Sequence, residues 1–356
     1  MSFARLAASL VVLLIGACAT GATPSATPAS TAQTPTGSPA ATASPAGTSL
    51  TVYSGRSEEL VAPLLAQFTQ ATGIGVSVRY GDTAELAALL LEEGANSPAD
   101  VYFAQDAGAL GAVAAADMLA VLPEELLARV ADGFRSPAGE WIGVSGRARV
   151  AVYDSRELEP EELPASILEF TDPQWRGRLG WAPTNGSFQA FVTAFRVLRG
   201  DAAARAWLEG IVANQPRRFD GNTQIVQAVA DQEIDIGFVN HYYLLRALDE
   251  QGPMFPVRNH FFAADDPGAL INVAGVAVLE TSTRQAAATR LVEFLLGPQA
   301  QAYFAAETFE YPLVAGVEQP AGAPGLSEIG GPPIDLSDLS DLQGTLRLLT
   351  DTGVLP

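Results

Sequence analysis

The chain has 356 residues, 20 basic against 40 acidic, for a formal net charge of −20; every basic residue is arginine, and there are two histidines and one cysteine. That length builds one large or two medium domains with sizeable cores. The charge excludes the basic stripes that nucleic-acid binding needs. The cysteine and histidine counts exclude a disulfide framework or a cysteine-rich zinc site and leave little for a histidine-based metal or hydrolase centre.

Residues 1–17 read as a signal peptide. Arg5 is the only charge before residue 50, and the apolar run from Leu6 to Ile15 is far shorter than the ~20 residues a membrane span needs. Leu14-Ile15-Gly16-Ala17-Cys18 resembles a bacterial lipobox, so Cys18 is expected to be lipidated and to become N-terminal. The alternative is an ordinary secretory signal with an incidental cysteine. Residues 19–49 hold only Ala, Thr, Ser, Pro, Gly and Gln33, too little apolar surface to offset ordering entropy, so 18–49 is expected to be a flexible tether. The expectation is an extracytoplasmic body, in the periplasm or at the cell surface, held to a membrane by lipid alone.

From residue 50 strand and helix patterns alternate. Leu50 to Tyr53 predicts a strand, Leu60, Val61, Leu64, Leu65 and Phe68 a helix ended by Gly73, then Ile74 to Tyr80 a strand, Glu85 to Glu93 a helix and Asp100 to Ala104 a strand. Further strands are expected at 150–153, 179–181, 234–239 and 271–279, with helices at 188–199, 223–232, 283–296, 299–307 and about 339–349. Such an opening argues for a mainly parallel sheet covered on both faces. The expected organisation is two α/β lobes, one built from 50–149 plus 273–320 and the other from 150–272, with 321–356 as a C-terminal segment. The chain would cross between lobes near 148–152 and 268–275.

In such sheets ligands sit beyond the carboxyl ends of strands, where helix N-termini offer N–H groups. Polar residues fall there at Tyr53 to Glu58, Gln105-Asp106, Pro183 to Phe188, Phe219 to Thr223 and Asn240-His241-Tyr242-Tyr243. Each has a bland reading. Asn185 and Asn222 could merely cap helices, adjacent tyrosines commonly split between core and solvent, and His241 could be a solvated turn residue. Arg147 and Arg149 could be a surface pair.

Taken together the chain resembles the bacterial ferric ion-binding proteins, receptors of iron(III) ABC importers. The resemblance rests on Val52-Tyr53-Ser54-Gly55-Arg56, Tyr80 to Leu86, Ser97-Pro98-Ala99-Asp100-Val101, Trp141 to Val150, Asn222 and Asn240-His241-Tyr242-Tyr243. It implies a two-lobed, hinged "Venus flytrap" α/β fold closing on one ferric ion, a hard cation suited to oxygen donors. It further implies Tyr242 and Tyr243 as metal ligands, with Tyr153 as the third tyrosine of the tyrosine-rich members. Some members place a histidine and a glutamate where Ser57 and Gln105 stand here, so a three-tyrosine site completed by carbonate or phosphate is favoured. Arg147, Arg56, Asn185, Gly186, Ser187, Asn222 and Asn240 are the candidates for holding that anion, with Arg149 as the alternative to Arg147 because both project to one strand face. The implied partner is an ABC permease served by a monomer. Other readings are the same fold carrying a polyamine, thiamine, a phosphonate or a sugar, and an exported hydrolase, for which the sequence offers no nucleophile elbow and no Cys/His pair.

Overall fold

A computed structural model describes residues 49–356. The signal peptide, Cys18 and nearly all of the tether lie outside the described residues. The first half opens as β1 (Ser49–Ser54), α1 (Glu58–Thr72), β2 (Gly75–Tyr80), α2 (Thr83–Glu93), β3 (Val101–Ala104) and α3 (Ala107–Ala114). α1 buries Val61, Leu64, Leu65 and Phe68 and stops at Gly73, whose φ of 73° suits a glycine and whose N–H donates to the Thr69 carbonyl. Asp82 caps α2 by accepting from the N–H groups of Ala84 and Glu85.

Next come the short α4 (Glu124–Leu127), the 13-residue β4 (Ile142–Asp154), β5 (Leu179–Trp181), α5 (Gly186–Arg199), α6 (Asp201–Ala213), β6 (Arg217–Arg218), α7 (Asn222–Ala230), β7 (Ile236–Asn240), α8 (Tyr242–Gln251) and β8 (Val257–His260). β9 (Ile271–Val278), α9 (Gln285–Leu295), α10 (Pro298–Glu307), β10 (Tyr311–Pro312), α11 (Leu326–Ile329) and α12 (Leu342–Asp351) complete the chain.

The strand order is β2-β1-β3-β9-β4-β7-β5-β6, with β8 and β10 also pairing β4. β4 belongs to two sheets. Its Ile142–Ala148 portion pairs β9, whereas Arg149–Tyr153 pairs β7 and Ala151–Asp154 pairs β8. The Arg149 N–H donates to the Leu270 carbonyl, one residue before β9 begins, so both passages of the chain between the sheets meet at this seam. The mainly parallel sheet expected from sequence is corrected here. β1 with β2 and β3, and β5 with β6 and β7, are parallel, but every pairing of β4 and β9 is antiparallel. The chain leaves the first sheet along β4 and re-enters it on the neighbouring β9, so the two run in opposite directions.

A separate smaller core of Val150, Val152, Ile225, Val226, Val229, Val239 and Leu244 lies between the second sheet and α7 and α8. The C-terminal segment touches both halves. The Leu339 and Ser337 carbonyls press on α3 where Gly108 and Gly111 leave no room for a Cβ. α12 joins α5 through Thr193 and Thr345, whose hydroxyls are 2.7 Å apart, and through the 2.9 Å Arg196–Asp341 ion pair. Among the described residues no helix is long and apolar enough to cross a membrane.

Candidate metal centre

β7 ends at Asn240, opposite Arg149, and His241 turns directly into α8, so the tyrosine pair occupies a first helical turn rather than a loop. The Tyr242 and Tyr243 rings stack with centroids 4.3 Å apart and planes inclined by 27°. Tyr242 is buried and Tyr243 half-buried. Burial pushes the Tyr242 phenol well above its ordinary pKa, Tyr243 and Glu310 add to that, and Arg147 and Arg56 partly oppose it. His241 is buried, which corrects its reading as a solvated turn residue. The Ala148 N–H donates to its Nδ1 at 3.2 Å, and its ring stacks on Tyr311 with centroids 4.4 Å apart. Burial pulls its pKa down to about 4, so the imidazole is neutral.

Behind the tyrosines sits a buried ionic knot that sequence reasoning missed. Glu310 is fully buried; Arg56 Nη2 donates to its Oε1 at 2.7 Å, Ser145 Oγ donates to its Oε2 at 2.6 Å, and Arg147 Nε lies 4.0 Å from Oε1. Burial would raise the pKa of this carboxyl, but Arg56, Arg147 and Ser145 reverse that and hold it below the usual range. Burial lowers the pKa of Arg147, whereas the Glu310 pairing raises that of Arg56, which makes Arg56 the principal partner of the carboxylate. Arg147 Nη2 also donates to the Gln105 carbonyl. The one local sign of Glu310 was an acid within Phe309-Glu310-Tyr311-Pro312. Phe309 takes φ of 56° to present it, a conformation costing a non-glycine residue roughly 1–2 kcal/mol.

The anion candidates divide. Asn185 caps α5, its Oδ1 accepting from the Ser187 N–H at 3.0 Å and from the Ser187 hydroxyl at 2.5 Å. Asn222 is buried at the start of α7 and its Nδ2 donates to the same Asn185 oxygen at 3.4 Å. Asn240 is buried at the end of β7. Arg56 and Arg147 each keep at least one buried guanidinium nitrogen without a partner. A cavity of about 430 Å³ opens between the halves, with Gly55, Thr83, Gln105 and Asp106 on one wall and Thr184, Asn185, Gly186 and Gln189 on the other. Burial raises the pKa of the Asp106 carboxyl. Ser57 is exposed at the start of α1 and makes no side-chain cap bond.

Tyr153, expected as a third ligand, stands at a different level of the sheet from the β7–α8 junction that carries the tyrosine pair. It pairs with Ile236, at the start of β7, while Arg149 pairs with Asn240 at the end. Four residues of strand separate the two levels, about 13 Å. Arg258 pairs with it on β8, and burial, with Glu159 and Glu161 adding to it, raises the pKa of its phenol. Among the described residues no group of three or more His, Cys, Asp or Glu could hold a metal ion. The stacked phenols are therefore the notable oxygen donors of the site.

Residues 84–328 match the family described as bacterial extracellular solute-binding protein. The major ferric iron-binding protein of Neisseria meningitidis serogroup A is 34% identical over 316 residues, covering 88% of this chain and 95% of that protein. The crystal structure of iron-bound HitA from Pseudomonas aeruginosa superposes with a TM-score of 0.80 at 33% identity, over 86% of this chain and 99% of that one. Trichodesmium IdiA (FutA), in complex with iron and citrate ligands, gives a TM-score of 0.74 at 29% identity, covering 86% and 99%.

Proposed function

Because this chain belongs to the bacterial periplasmic ferric iron-binding proteins, a transport family rather than an enzymatic one, we propose that it captures ferric ion through the Tyr242 and Tyr243 phenolates together with a small anion. The observation that carries this reading is the stacked tyrosine pair set beside a buried cluster of two arginines and one glutamate. That cluster has a net positive charge, which favours phenolate over phenol. A phenol at or above pKa ~10 holds its proton at pH 7 by roughly 4 kcal/mol, so the trivalent cation must displace it and binding weakens in acid. Asn222, Asn240 and the α5 N-terminus at Asn185, Gly186 and Ser187, with the free N–H groups of Arg56 and Arg147, would hold carbonate or phosphate on the open face of the ion. The loaded protein would serve an ABC permease as a monomer, tethered through lipidated Cys18.

Ferric nitrilotriacetate added with bicarbonate to the metal-free protein should raise a visible phenolate-to-iron charge-transfer band. Tyr242→Phe or Tyr243→Phe should abolish it and cut iron retention by about tenfold or more, since even supporting residues around a metal are worth that much. A protein that stays colourless and takes up no iron overturns the reading. Separately, Cys18→Ser should release the protein from membranes; persistence in the membrane fraction argues against the lipid anchor.

A further inference from the structure

Arg149 differs from every other buried arginine in the described residues. It is 3% exposed, yet no carboxylate lies within ion-pairing distance of it among the described residues. Its Nη2 donates to the Phe238 carbonyl at 3.0 Å, while Nε and Nη1 are buried with no hydrogen-bond partner. The guanidinium lies over Phe188 and Phe191 of α5, 5.5 and 5.3 Å from their ring centroids. Across the strands it faces Asn240, two residues before Tyr242 and three before Tyr243, and a phenolate at Tyr243 would be close enough to stabilise its charge. A buried cation without a counter-ion is costly, and ring faces offset only a small part of that. Two unused buried donors on a cation without a counter-ion point to negative charge that is present only part of the time.

We propose that Arg149 is the counter-charge of the loaded site, its free Nε and Nη1 N–H groups pairing with the negative charge that Tyr243 and the accompanying oxyanion carry once iron is bound. This rests on the iron-binding reading above and adds a residue with a distinct task. Arg56 and Arg147 share the carboxylate of Glu310, so one of their two charges is offset inside the protein. Arg149 is the one of the three buried arginines with no carboxylate partner of its own among the described residues. Carrying it also makes the empty protein less stable than it would otherwise be.

The test compares wild type, Arg149→Met and Arg149→Lys, each full chain, in two assays. The first is retention of iron against citrate after loading with ferric nitrilotriacetate and bicarbonate. The second is thermal melting of the metal-free protein. Arg149→Met should lose about tenfold or more in retention, by the scale of supporting groups at metal sites, while its metal-free form melts no lower than wild type because an unpaired buried charge is gone. Arg149→Lys should keep most of the retention. A methionine variant that retains iron like wild type overturns the proposal. So does one that fails to fold or melts lower by more than about 4 °C, roughly 1–2 kcal/mol, since that marks a structural arginine. A folded lysine variant as poor as methionine overturns it too. A wild type that takes up no iron overturns the functional reading itself, which separates the two failures.

Discussion

Arg147 and Arg149 stand two residues apart on β4, project to the same side, and live in opposite electrostatic settings. At Arg147 the strand is still in the first sheet, where β10 pairs at Ser145 and Gly146 and brings Glu310 alongside. At Arg149 the strand has joined the second sheet, and its neighbours are Asn240, the Phe238 carbonyl and two phenylalanine rings. One arginine is therefore part of a permanent ion-paired cluster that ties the ends of β1 and β10 to β4 at the seam. The other is left unpaired, with burial pulling its pKa down to about 9. The seam is thus built from one half that holds a carboxylate counter-ion before any ligand arrives and one half that holds none.

The comparison can be broken most severely at Glu310. Glu310→Gln leaves Arg56 and Arg147 buried with no carboxylate, and removing one partner of a buried pair costs about 3–5 kcal/mol. Denaturant melts of the metal-free protein should show a loss of that size, well beyond the effect of any change at Arg149. Acid provides the next largest effect. The folded pKa of His241 is about 4, below its ordinary 6.5, so the unfolded chain takes the proton first as pH falls. The stability contributed by the neutral imidazole is complete above pH 6.5 and is lost between there and about pH 4, amounting to about 3 kcal/mol at one unit per 1.4 kcal/mol. His241→Phe should flatten that part of the pH–stability curve; an unchanged slope would mean that another group dominates it.

Much of the fold was legible because strands and helices carry their periodicity locally. β1, α1, β2, β3, β5, α5, α7, β9 and α9 fall close to where apolar spacing places them. Strand direction in the middle of the sheet was not, since it depends on β4 carrying the chain into the second sheet and β9 bringing it back beside β4. α6 and β8 left weaker marks and were not read. The tyrosine pair was found, but as a loop, because α8 starts at once from β7 with no capping side chain at His241. Glu310 was invisible for a plain reason. Its partner Arg56 is 254 positions away, and nothing in the local sequence reports a contact made by chain closure across the sheet.

The smallest expected effect sharpens the comparison at the far end of the same strand. Tyr153 shares β4 with both arginines and is buried with 6% of its surface exposed, so its chemistry alone gives no reason to set it apart from the tyrosine pair. Register does. It stands at the opposite end of β7 from Asn240, in the company of Arg258, Glu159 and Glu161. Tyr153→Phe removes only a hydroxyl from that setting, and such a change is expected to cost about 1 kcal/mol or less. The iron-loaded variant should keep the wild-type charge-transfer band, because a spectrum set by two phenolates does not change when a third, uncoordinated phenol is removed. A band that shifts or weakens in Tyr153→Phe, with stability unchanged, would place this tyrosine on the metal and would require β4 and β7 to change register on loading. With the band intact, the ligands supplied by this lobe are confined to the end of the sheet where β4 changes partners, and the fate of the incoming charge is decided by Arg149.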